Sequence, residues 1–477
     1  MTHVRMVCLA LLASALAVPA SAQEVEPIRI TFRPAAPAGP ALRFHLLPAL
    51  HEMTPGNAAE RYKQAIAAMK KIGDATGAGG DIQDWLELPP AELPRDKARR
   101  LLNDYREVFR LADQAARSEY CDWGFAERLR KMGFATLLPE LQEMRDLARL
   151  LALRARVAIL DGHTGEAVRA LQTGFAAARH VGDTPVLIGS LVGIAMGTVT
   201  AKELELLLSQ PKAPNFYWAL TDLPRPFIDM RKAMEGERVG IYASFPGLLE
   251  AVNNPAAPPL TPEQVQAGVK LLVEELNVGK GYPTRVGVAT LIRAKHNVAK
   301  EALVAAGYDR ARVEKMPHME VALLHSLQQY DRFLDEIHKW RTFPYVEAKK
   351  GLDEADHMIR EARAHALFPL RDTPALPLAA FFLPAVHKVF AAQARIDRRI
   401  AALRCVEAIR LYAAAHGGKL PTTLADVKEV PVPHDPYLGK PFAYRVGRGT
   451  ATLEAPPPPG ETANAGNSLI YELTLAK

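Results

Sequence analysis

The chain has 477 residues, 49% hydrophobic and 23% charged, a globular composition that excludes intrinsic disorder and is too long for one compact domain. Lysine and arginine number 59 against 53 acids, a formal +6, and the signs are interleaved, as in Asp309-Arg310-Ala311-Arg312-Val313-Glu314-Lys315. No basic stripe of the kind that tracks a phosphate backbone is visible, so no nucleic-acid partner is expected.

Met1–Ala22 has the layout of an export signal: Arg5 in a short n-region, an uncharged apolar run from Val7 to Val18, and Ala20-Ser21-Ala22 before Gln23. The run is too short for a span, which needs roughly 20 apolar residues, and Cys8 lies too early to be a lipoprotein cysteine. The expected mature chain starts at Gln23, lacks a transmembrane segment and carries a formal +5 once Arg5 is removed. It keeps Cys121 and Cys405, which an oxidising compartment allows to form one bridge that nothing in the sequence requires. No local motif supplies a base for a catalytic thiol, so buried, inert thiols are expected.

Residues 23–55 read as an extended arm, with a strand-like run Ile28 to Phe32 followed by PAAPAGP. From Gly56 apolar residues recur at helical spacing in Ala58–Ile72, Arg95–Glu119, Gly124–Met132 and Leu137–Leu160, separated by GDATGAGGD and LPPAELPRD. Arg154–Pro185 resembles a single tetratricopeptide-like helical hairpin turning at Asp161-Gly162, without that family's aromatic positions, so 56–212 reads as stacked antiparallel helices. Within it VLIGSLVGIAMGTVTA, Val186–Ala201, places Gly189, Gly193 and Gly197 four apart. A buried helix whose glycines admit a neighbouring backbone is expected, not a membrane span.

A second helical region covers 213–371. Asn215–Arg238 sets Phe216-Tyr217-Trp218 before prolines and predicts helix-surface ion pairs Arg225–Asp229 and Arg231–Glu235. Thr261-Pro262-Glu263 reads as a helix cap and first turn, Gly281-Tyr282-Pro283 and Lys315-Met316-Pro317 as breaks, and the proline-rich 369–377 as the end of the region.

Motifs that encode a mechanism are absent: no HExxH, CxxC, GxSxG, GxxxxGK or GxGxxG occurs. One metal candidate remains, because Asp353, His357, Glu361 and His365 are each four apart and climb one stripe of a helix. Imidazole and carboxylate suit zinc or iron, but further ligands are needed, with Asp331, Asp335 and His338 of the preceding helix as possible partners. The alternative is a hydrated surface stripe, and no cofactor is assigned.

Residues 385–477 form a separate pattern. A long helix with apolar Val389, Ile396, Ile400, Leu403, Val406, Ile409 and Ala413 is stopped by Gly417-Gly418. A short capped helix follows at Pro421-Thr422-Thr423, then a turn at Asp435-Pro436 and three short strands at 441–446, 450–454 and 469–475.

This order resembles the globular half of the major pseudopilins of type II secretion. Tyr412, Gly418, Pro421, Asp435, Pro436, Gly439, Pro441 and Tyr444 occupy the family's helix-end, Gly-x-x-Pro and Asp-Pro-x-Gly-x-Pro positions, with one extra residue between Pro436 and Gly439. The resemblance covers about 90 residues and implies a small antiparallel sheet beside a helix. Filament assembly is not implied, because the family's N-terminal membrane helix is missing from this module. Nor is the family's calcium site, because the late loop APPPPGETANAG offers only Glu461 among carboxylates while calcium takes six to eight oxygens. The whole chain also resembles a family of large uncharacterised exported bacterial proteins.

The expected protein is mainly α, with stacked antiparallel helical hairpins in an α-solenoid-like array followed by the small C-terminal α+β module. The expected role is an exported, non-catalytic binding or scaffold protein of the periplasm or cell envelope with protein partners. The alternatives are a metal-dependent hydrolase near His357, Glu361 and His365, and an accessory component of a secretion apparatus.

Overall fold

The structure is a computed structural model that describes residues 25–76, 79–133, 138–245, 247–276, 290, 292–365, 386–458 and 460–476, without the side chains of 75–76, 79–80, 269, 271–276, 363–365 and 386–388. The signal-like segment, the Gly281-Tyr282-Pro283 break and the proline-rich 369–377 lie outside the described residues. In chain order the helices are α1 Ala58–Thr76, α2 Gly79–Glu87, α3 Arg95–Asp104, α4 Arg106–Ala116, α5 Phe125–Met132, α6 Pro139–Leu160, α7 Thr164–Gly182, α8 Leu187–Leu208 and α9 Tyr217–Thr221. They continue with α10 Arg231–Ser244, α11 Leu248–Asn253, α12 Pro262–Leu276, α13 His296–Ala305, α14 Arg310–Lys315, α15 His318–His338, α16 Tyr345–His365 and α17 Val386–Ala415. The chain is mainly helical with a small sheet, and it divides into two compact units.

The first unit comprises Met1–Trp123, Leu137–Ala233 and Ala391–Lys477. Its centre is the α6, α7 and α8 stack, where Leu150, Leu153, Phe175, Ala177, Leu204 and Leu208 are completely buried. The glycine spacing of α8 has the expected consequence. A Cβ on Gly193 would lie 2.5 Å from the Ala178 carbonyl oxygen and 2.6 Å from the Gly182 Cα, so α7 and α8 cross with backbones nearly touching. A Cβ on Gly197 would reach within 2.8 Å of the Phe227 ring. No described helix is long and apolar enough to cross a membrane.

The C-terminal strands β4 Ala443–Val446, β5 Thr450–Ala455 and β6 Leu469–Leu475 pair antiparallel. The sheet is larger than the sequence suggests, because β1 Ile28–Phe32 adds in parallel to β6, with Ile28 opposite Tyr471 and Phe32 opposite Leu475. Ile30, Phe32, Ala451, Leu453, Tyr471 and Leu473 point inward and the intervening residues outward, the alternation of a sheet covered on one face. A second two-stranded sheet joins β2 Thr54–Asn57 to β3 Ser118–Tyr120.

The C-terminal helix stop uses Gly417 and Gly418 at φ 62° and 76°, values that favour glycine. Thr423 and Asp426 then form a reciprocal capping box around a single 3-10 turn, Leu424–Asp426. Cys121 and Cys405 are free thiols. Burial, with the Asp122 carboxylate close by, pushes the half-buried Cys121 thiol up to about 12, and burial also raises that of the enclosed Cys405.

The second unit comprises Gly124–Thr136 and Met234–Phe390. Its axis is α15, on which Val321, Leu323, Leu324, Leu327 and Tyr330 have no exposure and against which α11, α12, α13 and α16 pack. The expected cap of α12 is present as a capping box, with Gln264 N–H donating to Thr261 Oγ1 at 3.2 Å and Thr261 N–H donating to Gln264 Oε1 at 2.7 Å.

The ion pairs expected across 225–235 are not formed. Residues 222–230 precede α10 and are not helical, so Arg225 and Asp229 do not share a helix face, whereas Arg231 and Glu235 both lie in α10 but take other partners. Arg231 instead chelates Asp229, and Glu235 pairs with Arg341.

Candidate functional site

α16 holds Asp353, His357 and Glu361 on an exposed stripe: Lys349 Nζ donates to Asp353 Oδ2 at 2.7 Å, and His357 Nε2 lies 3.6 Å from Glu361 Oε1 with both side chains more than half exposed. His365 ends the helix, and its side chain lies outside the described residues. The surface concavity here, about 540 Å³, is lined by Val346, Lys349, Lys350, Asp353, Glu354 and His357, all from this one helix.

The proposed partners on α15 face different company. Tyr242 donates to Asp331, Arg238 donates to Asp335, and His338 is buried among Arg238, Glu235 and Arg341, with burial and the Arg238 charge pushing its imidazole down to about 4. Among the described residues no three His, Cys, Asp or Glu side chains come close enough to hold a metal ion.

A second concavity lies in the first unit and has different chemistry. Thr54 of β2, Arg61 of α1, Arg110, Asp113 and Gln114 of α4, Arg117 at the end of α4, and Arg169 of α7 line a cleft of about 310 Å³. The sequence builds it by spacing. Arg110, Asp113, Gln114 and Arg117 recur at three and four residues, so they share one face of α4 and its last turn. β2 is held there by Thr54, whose N–H and hydroxyl both donate to the Arg117 carbonyl, at 2.7 and 3.2 Å.

Asp113 is the only acid in the lining, and it is fully occupied. It accepts Arg154 through both oxygens at 3.0 and 3.2 Å, Arg169 Nε at 3.2 Å and the Thr173 hydroxyl at 2.7 Å. Burial raises its proton affinity, but these donors outweigh burial and hold the carboxyl below the usual carboxylate range. A carboxylate kept ionised and surrounded by donors has no lone pair aimed at a substrate, so it is a poor general base.

The arginines differ in how far they are committed. Arg117 is buried, donates to the Asp113 carbonyl and to Gln172 Oε1 at 3.3 and 2.9 Å, and keeps its Nε 3.6 Å from Glu52 Oε1. Burial and the nearby Arg169 charge lower its pKa, the mark of a cation short of anions. Arg110 is exposed and paired with Glu107 at 2.7 and 2.5 Å. Arg61 is half-buried and has no hydrogen bond or ion pair among the described residues.

Several other buried charges of this unit pair with one another. Arg156 pairs with Glu203 at 2.7 Å, Arg399 with Glu205 at 2.6 Å, and Arg410 with Glu407 at 2.7 Å, while Glu205 also accepts the Tyr471 hydroxyl at 2.5 Å. Tyr62 and His180 meet at 3.1 Å beneath Trp123, which donates to the His180 carbonyl at 3.2 Å. Burial and the neighbouring Arg179 push the His180 imidazole down to about 4, so it stays neutral. In the C-terminal module His416 stacks on Tyr412 with ring centroids 3.8 Å apart. These are packing arrangements, and none of these residues lines either concavity.

Sequence reasoning missed the arginine cleft because its lining comes from separate segments around residues 54, 61, 110–117 and 169. The one local signal was Arg106-Glu-Val-Phe-Arg110-Leu-Ala-Asp113-Gln-Ala-Ala-Arg117, whose polar residues repeat at helical spacing. Compared with protein-family models, curated proteins and solved structures, the chain matches none of them.

Proposed function

We propose that this is an exported, non-catalytic binding or scaffold protein of the periplasm or cell envelope. The observation that carries the binding half of this reading is the state of Asp113. The cleft gathers cationic donors, and its one carboxylate is locked by Arg154, Arg169 and Thr173, which suits holding an anion and leaves no free acid-base pair. Export rests on the layout of Met1–Ala22, and the scaffold element on the stacked helices, whose grooves and edges suit protein partners. We further read the C-terminal residues as a pseudopilin-type module used as an interaction unit.

The test is to express the full chain in a Gram-negative host, fractionate the cells, determine the N-terminus and cross-link in the intact envelope. The expected outcome is a protein outside the cytoplasm that begins at Gln23 and cross-links to a stable neighbour. A cytoplasmic protein that retains Met1 contradicts the export reading. Neighbours drawn from a secretion machine would favour the accessory-component role over a general scaffold.

A further inference from the structure

The geometry points to the arginine cleft as a site for a small, hydrophilic ligand carrying a tetrahedral oxyanion, a phosphate or sulfate ester group, held by Arg61, Arg117 and Arg169. This deepens the binding-protein reading and rests on it. Charge supplies the first reason. Among the described residues Arg61, Arg110, Arg117, Arg154 and Arg169 meet three acids, Glu52, Glu107 and Asp113, so the site carries excess positive charge. Arg117 and Arg169 repel each other across it, and an anion between them relieves that cost.

Commitment is the second reason. A structural arginine in this fold is saturated, as Arg156 is by Glu203 and the Trp85 and Leu86 carbonyls. Arg61 borders the same cleft with no such partner among the described residues, and a half-buried guanidinium without an acceptor is one that a ligand can satisfy.

The lining selects the chemistry. It contains Thr54, Gln114, Asp113 and arginines, with no aromatic or aliphatic side chain, so there is no platform for a base and no apolar wall for an acyl chain. Guanidiniums from α1, α7 and the end of α4 approach from separate elements, which matches an oxyanion with oxygens in three directions better than a planar carboxylate. A cleft of about 310 Å³ sits at the small end of ligand sites, the size of a phosphorylated or sulfated monosaccharide.

Titration calorimetry on the processed full chain tests this with inorganic phosphate, a hexose phosphate, the parent hexose, citrate and phosphatidic acid vesicles. Binding of the hexose phosphate but not the hexose is expected, with affinity falling about tenfold or more in Arg61→Ala and partly restored in Arg61→Lys. Because Arg61 has no partner to lose, the unliganded Arg61→Ala protein should melt with the wild type, which separates lost binding from lost fold. No binding of any phosphate, undiminished binding in Arg61→Ala, preference for citrate, or binding to vesicles alone each overturns the proposal. Release of inorganic phosphate from the hexose phosphate would leave the oxyanion site standing and overturn the non-catalytic reading.

Discussion

Arg398 grips Asp435 with Nε 3.0 Å from both carboxylate oxygens and Nη2 2.6 Å from Oδ2, and each side chain is only 2% exposed. The same guanidinium donates to the Asn467 and Pro456 carbonyls at 2.7 and 3.0 Å and lies over the Tyr437 ring. Asp435 in turn accepts the Tyr437 N–H at 2.8 Å, so the Asp-Pro turn, both ends of the segment joining β5 to β6, and α17 are tied at one point. Removing one partner strands a buried charge, a loss of about 3–5 kcal/mol. Urea unfolding should show Arg398→Ala and Asp435→Ala each destabilised by that order. The double change Arg398→Met with Asp435→Leu should recover much of it, since paired apolar replacements spare the desolvation cost.

The α7/α8 crossing gives a steric prediction. Because a Cβ at Gly193 would meet the Ala178 carbonyl and the Gly182 backbone, Gly193→Ala should cost about 1–3 kcal/mol and Gly193→Leu should prevent folding. Gly165 lies in the first turn of α7 with nothing within 4 Å of an added Cβ. Gly165→Ala should therefore be neutral or stabilising by up to about 1 kcal/mol through helix propensity. Equal effects of the two alanine substitutions in thermal unfolding would argue against a close crossing.

Asp397 sets a pH dependence. Its Oδ1 accepts the Phe227 N–H at 2.8 Å, and burial pushes the carboxyl from 3.8 up to about 7 against the pull of that N–H and of Arg225. Between those two values the folded chain holds a proton that the unfolded chain has lost, so stability falls as pH rises from about 4 to about 7, by at most on the order of 4 kcal/mol. His180 works in the opposite sense, because a depressed imidazole pKa makes acidification from 6.5 towards about 4 destabilising. The comparison that isolates Asp397 is therefore wild type against Asp397→Asn, which keeps an acceptor for Phe227 and cannot ionise. The variant's stability relative to wild type should rise between about pH 4 and about pH 7, and a pH-independent difference would remove Asp397 as the cause.

The N-terminal strand belongs to the C-terminal sheet. Phe32 is 1% exposed, and its carbonyl accepts the Ala476 N–H at 2.8 Å beyond the β1–β6 ladder. Phe32→Ala should cost about 3–5 kcal/mol, and hydrogen exchange should then accelerate in β6 more than in α15 of the other unit. Unchanged protection in β6 would argue that the strand is not seated on it.

These residues also show what the sequence could and could not reveal. Most helices of the first unit were legible because their apolar residues repeat at three and four, although α1 ends and α2 begins inside GDATGAGGD, which reads as a loop; the close contact at Gly193 follows from glycines spaced four apart. The stop at Gly417-Gly418, the Thr261–Gln264 box and the Asp435 turn were legible because backbone geometry restricts residue choice there. The parallel β1–β6 pairing was not, because a strand run such as Ile28–Phe32 carries no mark of a partner more than 400 positions away. Arg225 and Asp229 misled because four-residue spacing implies contact only inside a helix. The arginine cleft went unread for a related reason: long-range convergence of separate segments leaves no local motif.

The most direct test of the central claim is a crystal structure of the full chain grown with a hexose phosphate. The account predicts tetrahedral density between Arg61, Arg117 and Arg169, with the Asp113 bridges to Arg154 intact. A ligand bound elsewhere, or a cleft in which Arg61 turns to a protein carboxylate and no anion enters at saturating ligand, would contradict it.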